Sequence, residues 1–261
     1  MKRNHFFILI AAFAAFLLAA PPAHAGKRLA KESIYFNGKD FTGGQIIVPE
    51  PDLMDAKRWV VVDAHGVGGP SAKNGNKLLG YGYVPTDKVI VLVPKFEEGY
   101  HMADDAACKE LITRFEWIKE RHKVHDKMFL HGFSGGAQFV HRFAFKHPEL
   151  VVGVSAHSAG SWSGVEGWGE INDKAKDIPF FLTCGDNDRQ KAFNGTAPYS
   201  RIEWMKNFAA QLKERGFNVR THTWPGRGHM PPPREAAAPM VREFFLFATE
   251  GAVPQNQPGN S

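Results

Sequence analysis

The chain has 261 residues, of which 43% are hydrophobic, 12% aromatic and 23% charged, with a formal net charge of +5. That composition supplies ample apolar surface for one large core and excludes an intrinsically disordered body. The charge is too weak, and too evenly spread, to point to nucleic acid, and no binding motif for it is present.

The chain opens with Lys2 and Arg3, an uncharged apolar run from Phe6 to Ala20, and then Ala23-His24-Ala25. This is the n-region, h-region and small-residue cleavage site of a secretory signal. The run is shorter than the roughly 20 residues a spanning helix needs, so no stable membrane anchor is expected after cleavage. Residues 1–25 are read as a signal peptide, and the mature chain begins at Gly26 in the extracellular space or the periplasm. Losing Lys2 and Arg3 lowers the formal charge from +5 to +3.

Apolar runs then alternate with helix-like stretches. Strands are expected at 44–48, 59–63, 89–93, 128–132, 151–156, 179–184 and 219–224, each short and bounded by Gly, Pro, Asn or Asp. Val60-Val61-Val62 and Val89-Ile90-Val91-Leu92-Val93 have no polar alternation, as in strands covered on both faces. Helices are expected at 104–121, 137–146, 201–215 and 242–249; in the second-last, Ile202, Met205, Phe208, Ala209 and Leu212 share a face. Gly216 follows it, where a helix end favours glycine. Pro239 marks the start of the last helix or a kink in it. Residues 252–261 are rich in Pro, Asn and Gln and are expected to be disordered.

No internal repeat or long linker divides residues 26–251, so they form one domain. Alternating strand and helix give an α/β fold: a mostly parallel central sheet with helices on both faces. In such sheets ligands bind beyond the carboxyl ends of the strands.

The segment 128–136 runs from an apolar strand into Gly132-Phe133-Ser134-Gly135-Gly136 and on into a helix. A sharp strand-to-helix turn crowds its central residue; flanking glycines relieve the crowding and let Ser134 project. The backbone N–H of Gly135 would face a developing oxyanion. A serine hydroxyl needs a base. His229, in Pro225-Gly226-Arg227-Gly228-His229 after the last strand, is the candidate among twelve histidines. His131 and His157, on or beside strands, read as structural. His122 and His125 could form a metal pair, but no third ligand lies nearby, so a solvated helix end is preferred and no metal is expected. The orienting carboxylate is expected from Gly185-Asp186-Asn187-Asp188. Asp188 is preferred, because the turn must travel some residues before a side chain faces back; Asp186 is left to cap the turn. The order Ser134, Asp188, His229 differs from the chymotrypsin and subtilisin orders.

A second oxyanion donor is expected from His65-Gly66-Val67-Gly68-Gly69, with the N–H of Val67 as first choice and Gly66 or Gly68 as alternatives. Trp162 and Trp168, beside glycines after the 151–156 strand, are candidate substrate-binding residues, or packing residues of a short connection. That region is too short for a large lid domain. Cys108 and Cys184 would both be buried; whether they pair is not decided by the sequence.

These segments together resemble the α/β-hydrolase superfamily. Within it, the compact size, the export signal and the run from Phe129 to Gly160 resemble secreted esterases of the poly(3-hydroxybutyrate) depolymerase and feruloyl esterase group. The resemblance implies a serine hydrolase acting on carboxylic esters, small or polymer-derived, through an acyl-enzyme at Ser134, with no cofactor. A peptidase, a thioesterase or a catalytically silent binding module would share most of these features.

Overall fold

The computed structural model describes residues 30–36, 39–48, 56–67, 78–79, 81–94, 96–97 and 99–251. The expected signal segment 1–25, the tail 252–261 and Gly68 and Gly69 lie outside them.

Eight strands form one sheet: β1 (Ala30–Phe36), β2 (Lys39–Val48), β3 (Arg58–Ala64), β4 (Val89–Val93), β5 (Val124–Phe133), β6 (Val151–His157), β7 (Phe180–Gly185) and β8 (Val219–Trp224). Their spatial order is β1-β2-β4-β3-β5-β6-β7-β8. The pairs from β4 to β8 are parallel, and β2 pairs antiparallel with both neighbours, so seven strands share a direction and β2 alone opposes them. The α/β expectation holds. β1 was not expected. Its sequence, with Lys31 and Glu32, lacks a continuous apolar run, and it joins the sheet at the edge through β2 alone.

Four α-helices lie among the described residues: α1 (Asp105–Arg121), α2 (Gly135–Lys146), α3 (Arg201–Glu214) and α4 (Arg234–Glu250). Asp104 caps α1, its carboxylate accepting from the Ala107 N–H at 2.8 Å. Ser200 and Glu203 form a reciprocal capping box on α3. Gly216 follows α3 at φ 83, the left-handed conformation expected there. The last helix starts eight residues earlier than the sequence pattern placed it. Pro239 sits inside α4, where it forfeits only the bond to the Glu235 carbonyl, a small loss beside the burial of Ala237, Ala238 and Val241.

Alternation along the strands builds two cores. Val60, Val62, Leu130, Val154 and Leu182 point to the face covered by α1, α2 and α3. Val61, Val91, Phe129 and Phe181 point to the other face, under α4 and Leu78 and Leu79. Both faces are therefore apolar, which explains the unbroken Val/Ile runs of the central strands. With its faces sealed, the sheet leaves polar chemistry to its carboxyl edge. Among the described residues, no helix is long and apolar enough to cross a membrane.

Candidate active site

Ser134 sits between β5 and α2 at φ 55 and ψ −115, a conformation non-glycine residues rarely adopt. The turn is held by the neighbouring strand: the Ser134 N–H donates to the His157 carbonyl at 2.9 Å, and the Ser134 carbonyl accepts from Gln138 N–H at 3.1 Å. The flanking glycines are sterically required. A Cβ on Gly136 would lie 2.0 Å from the Ala64 carbonyl oxygen, and one on Gly132 2.5 Å from the Gly136 backbone. Only hydrogen fits there, so the helix can pack tightly against β3 and leave the serine at the tip.

The turn after β8 brings His229 to this serine, with Ser134 Oγ and His229 Nε2 3.0 Å apart. His229 Nδ1 lies 2.9 Å from Asp188 Oδ2. A carboxylate only accepts, so Nδ1 carries the proton and Nε2 is left to accept from the serine hydroxyl. Asp188 reaches the imidazole because the turn beyond β7 closes on itself, its N–H donating to the Gly185 carbonyl at 3.1 Å. Gly185 itself packs on the Arg227 carbonyl, and Asn187 N–H donates to that carbonyl at 2.9 Å, which locks the β7 and β8 turns together. Solvent access is graded: the Asp188 side chain is 0% exposed and that of His229 27%. Asp186 is exposed and takes no part in the series. Arg201, at the start of α3, stands 3.6 Å from Asp188 Oδ1 and supplies the nearest cation.

The loop after β3 packs on the same turn. A Cβ on Gly66 would lie 3.4 Å from Ser134 Cβ, and one on Gly135 would lie 3.1 Å from the Val67 nitrogen. The two expected oxyanion donors, Val67 and Gly135, are thus neighbours beside Ser134. Sequence reasoning missed how this loop is held. The buried Tyr100 hydroxyl donates to the His65 carbonyl, and His65 Nε2 accepts from Phe96 N–H at 3.3 Å. His65 Nδ1, 2.8 Å from the Gly66 carbonyl, is then the donor. The run of Phe96 and Tyr100, an aromatic pair stacked 4.8 Å apart, was the available signal.

Solved structures similar to this one include poly(aspartic acid) hydrolase-1 from Sphingomonas sp. KT-1, with a TM-score of 0.64 and 16% identity over 82% of this chain and 99% of that one. A ferulic acid esterase from Anaeromyces mucronatus gives 0.57 and 17% over 85% and 90%. S-formylglutathione hydrolase from Staphylococcus aureus gives 0.56 and 15% over 86% and 98%. The chain has the α/β-hydrolase fold. No protein-family model and no curated protein matches the sequence.

Within this hydrolase fold a cavity of about 440 Å³ is lined among others by Gly66, Val67, Tyr81, Tyr83, Phe133, the residue before Ser134, and Arg234. Of the two readings open for the tryptophans, pocket or packing, the structure favours packing. Trp162 is 0% exposed and stacks on Phe208 of α3 at 5.1 Å, so it is a core residue and not a substrate contact. Trp168 is half-buried and packs edge-on against Trp204. The reason is apolar demand: the short segment after β6 must cover α2 and α3, and the indoles fill that space. His125 stacks on Trp59 with ring centroids 3.7 Å apart, and among the described residues no cluster of three or more His, Cys, Asp or Glu could hold a metal ion. Cys108 and Cys184 are both buried and free. Burial pushes both thiols up, Cys108 to about 11 and Cys184 to about 12, so neither is a nucleophile near neutral pH.

Proposed function

We propose that this chain is an exported serine hydrolase that cleaves carboxylic esters through an acyl-enzyme. The observation that carries the reading is the unbroken series from Ser134 Oγ to His229 Nε2 at 3.0 Å and from His229 Nδ1 to the sealed Asp188 carboxylate at 2.9 Å. Ser134 Oγ attacks the ester carbonyl as His229 Nε2 takes its proton. The resulting imidazolium is stabilised by Asp188, then gives its proton to the departing alkoxide, leaving an acyl group on Ser134. Water, deprotonated by the same imidazole, attacks that acyl group and releases the acid. The backbone N–H groups of Val67 and Gly135 receive the oxyanion in both halves; one such donor is worth about 100- to 1,000-fold in rate. Similarity to solved structures named as esterases and hydrolases supports this reading. The basic start, apolar run and Ala23-His24-Ala25 support export to the periplasm or beyond.

A fluorophosphonate probe tests the reading. Wild-type protein is expected to label at Ser134 and the Ser134→Ala variant not at all. Folded wild-type protein that stays unlabelled would overturn it. A panel of acyl esters and thioesters graded by chain length and aromaticity then defines the acyl group.

A further inference from the structure

His157 ends β6 and bonds neither the Ser134 hydroxyl nor the His229 imidazole, yet it holds the backbone of Ser134 and of the residue after His229. Its carbonyl accepts the Ser134 N–H at 2.9 Å. Its Nε2 lies 3.0 Å from the carbonyl of Met230, the residue after His229. Its Nδ1 meets the Thr183 hydroxyl on β7, the strand whose turn presents Asp188. A carbonyl can only accept, so the Nε2 proton is fixed on the Met230 side and Nδ1 accepts from Thr183. The Phe133 ring stacks on both imidazoles, at 5.5 Å and 25° for His157 and 5.1 Å and 22° for His229. One buried residue therefore joins the three loops of the proposed site, through its backbone carbonyl at Ser134 and through its side chain at Met230 and Thr183.

We propose that His157 is a positioning residue: with Phe133 it clamps the turn carrying His229 to the strand ends that carry Ser134 and Asp188. Burial holds its imidazole neutral, pushed down to about 3, so the clamp keeps its proton arrangement throughout the neutral range. Met230 has 52% of its surface exposed, and its turn lies among solvent-exposed residues. Beside the Asn187–Arg227 bond at the start of this turn, the His157 donor adds a buried tie at its far end. Displacing catalytic groups by about 1 Å can cost about 100-fold in rate.

The inference rests on the serine-hydrolase reading, and the test separates the two. Fluorophosphonate labelling and p-nitrophenyl acetate turnover are measured for wild type, His157→Phe, His157→Gln and Thr183→Val, each well below its melting temperature. His157→Phe keeps a ring against Phe133 but loses the donor. Its labelling rate and kcat are expected to fall about 10- to 100-fold with KM within about threefold. His157→Gln keeps an amide donor in the place of Nε2 and should recover most of that loss. Thr183→Val, which loses only the hydroxyl, should slow kcat about 2- to 10-fold and decides the matter if His157→Phe does not fold. A folded His157→Phe with wild-type kcat overturns the clamp while leaving the reading intact. So does a His157→Gln variant as slow as His157→Phe, or, where His157→Phe does not fold, an unchanged kcat in Thr183→Val. Wild-type protein that fails to label overturns both.

Discussion

Two sets of loops leave the same edge of the sheet and have been put to opposite uses. The turns after β5, β7 and β8 end in polar side chains that meet one another and open to solvent at Ser134 and His229. The segment after β6, from Ser161 to Gly169, turns its first three residues inward. Trp162 and Ser161 are 0% exposed, and α2 holds them from below. The Arg142 guanidinium donates to the carbonyl of Trp168 at 2.9 Å, to that of Gln138 at 3.1 Å and to the Ser161 hydroxyl at 2.9 Å. Among the described residues no carboxylate answers this cation, and burial pushes it down to about 9. His141 joins in: its Nδ1 donates to the Ala137 carbonyl at 2.8 Å and its Nε2 accepts from the Ser163 N–H at 3.2 Å. The difference teaches that glycines and aromatics after a strand do not by themselves mark a pocket. What separates the two sets is where their polar series end, at solvent in one and on buried backbone carbonyls in the other.

The sharpest way to break the comparison lies on the polar set. Asp188→Asn is expected to lower kcat about 10,000-fold, because an amide in contact with Nδ1 favours the wrong imidazole tautomer. Asp186→Asn, two residues away and exposed, should change it less than about threefold on the same reasoning. A larger loss from Asp186 would show that the carboxylate series runs differently in solution.

This pair also measures what the sequence reveals. The elbow was legible because its glycines are forced by close approach of backbone, a constraint local to five residues. Asp188 was legible as the better of two carboxylates because a turn of fixed length sets which side chain faces back. The parallel sheet was legible from its apolar strands. Three things were not. β1 carries Lys31 and Glu32 in place of an apolar run and pairs with β2 alone at the edge of the sheet. Trp162 looked like a pocket residue because an indole beside glycines reads the same in both settings; only its long-range stacking on Phe208 distinguishes them. His157 was read as structural, which its burial supports, but its partners Met230 and Thr183 lie 73 and 26 residues away, a distance at which sequence pattern is silent.

The inward set is tested through Trp162. Trp162→Ala removes a fully buried indole and should cost about 3–5 kcal/mol of stability, read from the urea midpoint. At temperatures where the variant is folded, its KM for short esters should stay within about twofold, since no substrate atom would touch that ring. A large rise in KM with little loss of stability would return Trp162 to the pocket.

The smallest effect concerns what the two sets share, a neutral buried histidine in each: His141 under the inward loop and His157 under the polar one. Burial holds both imidazoles below their ordinary value of 6.5, His157 at about 3 and His141 well below. The unfolded chain takes up protons on these residues as pH falls through 6.5 while the folded chain does not. Each therefore favours unfolding progressively below pH 6.5, and for His157 that effect saturates only below about 3. For His157 stability should fall by up to about 1.4 kcal/mol per pH unit between about pH 6 and about pH 4, and His141 adds a fall of the same sign below about pH 6.5. Urea unfolding followed across that window in wild type, His141→Gln and His157→Gln should show the slope reduced by about one histidine's share in each variant. Equal slopes in all three would mean that both imidazoles are charged in the fold, and a charged His157 could not let the Thr183 hydroxyl donate to Nδ1.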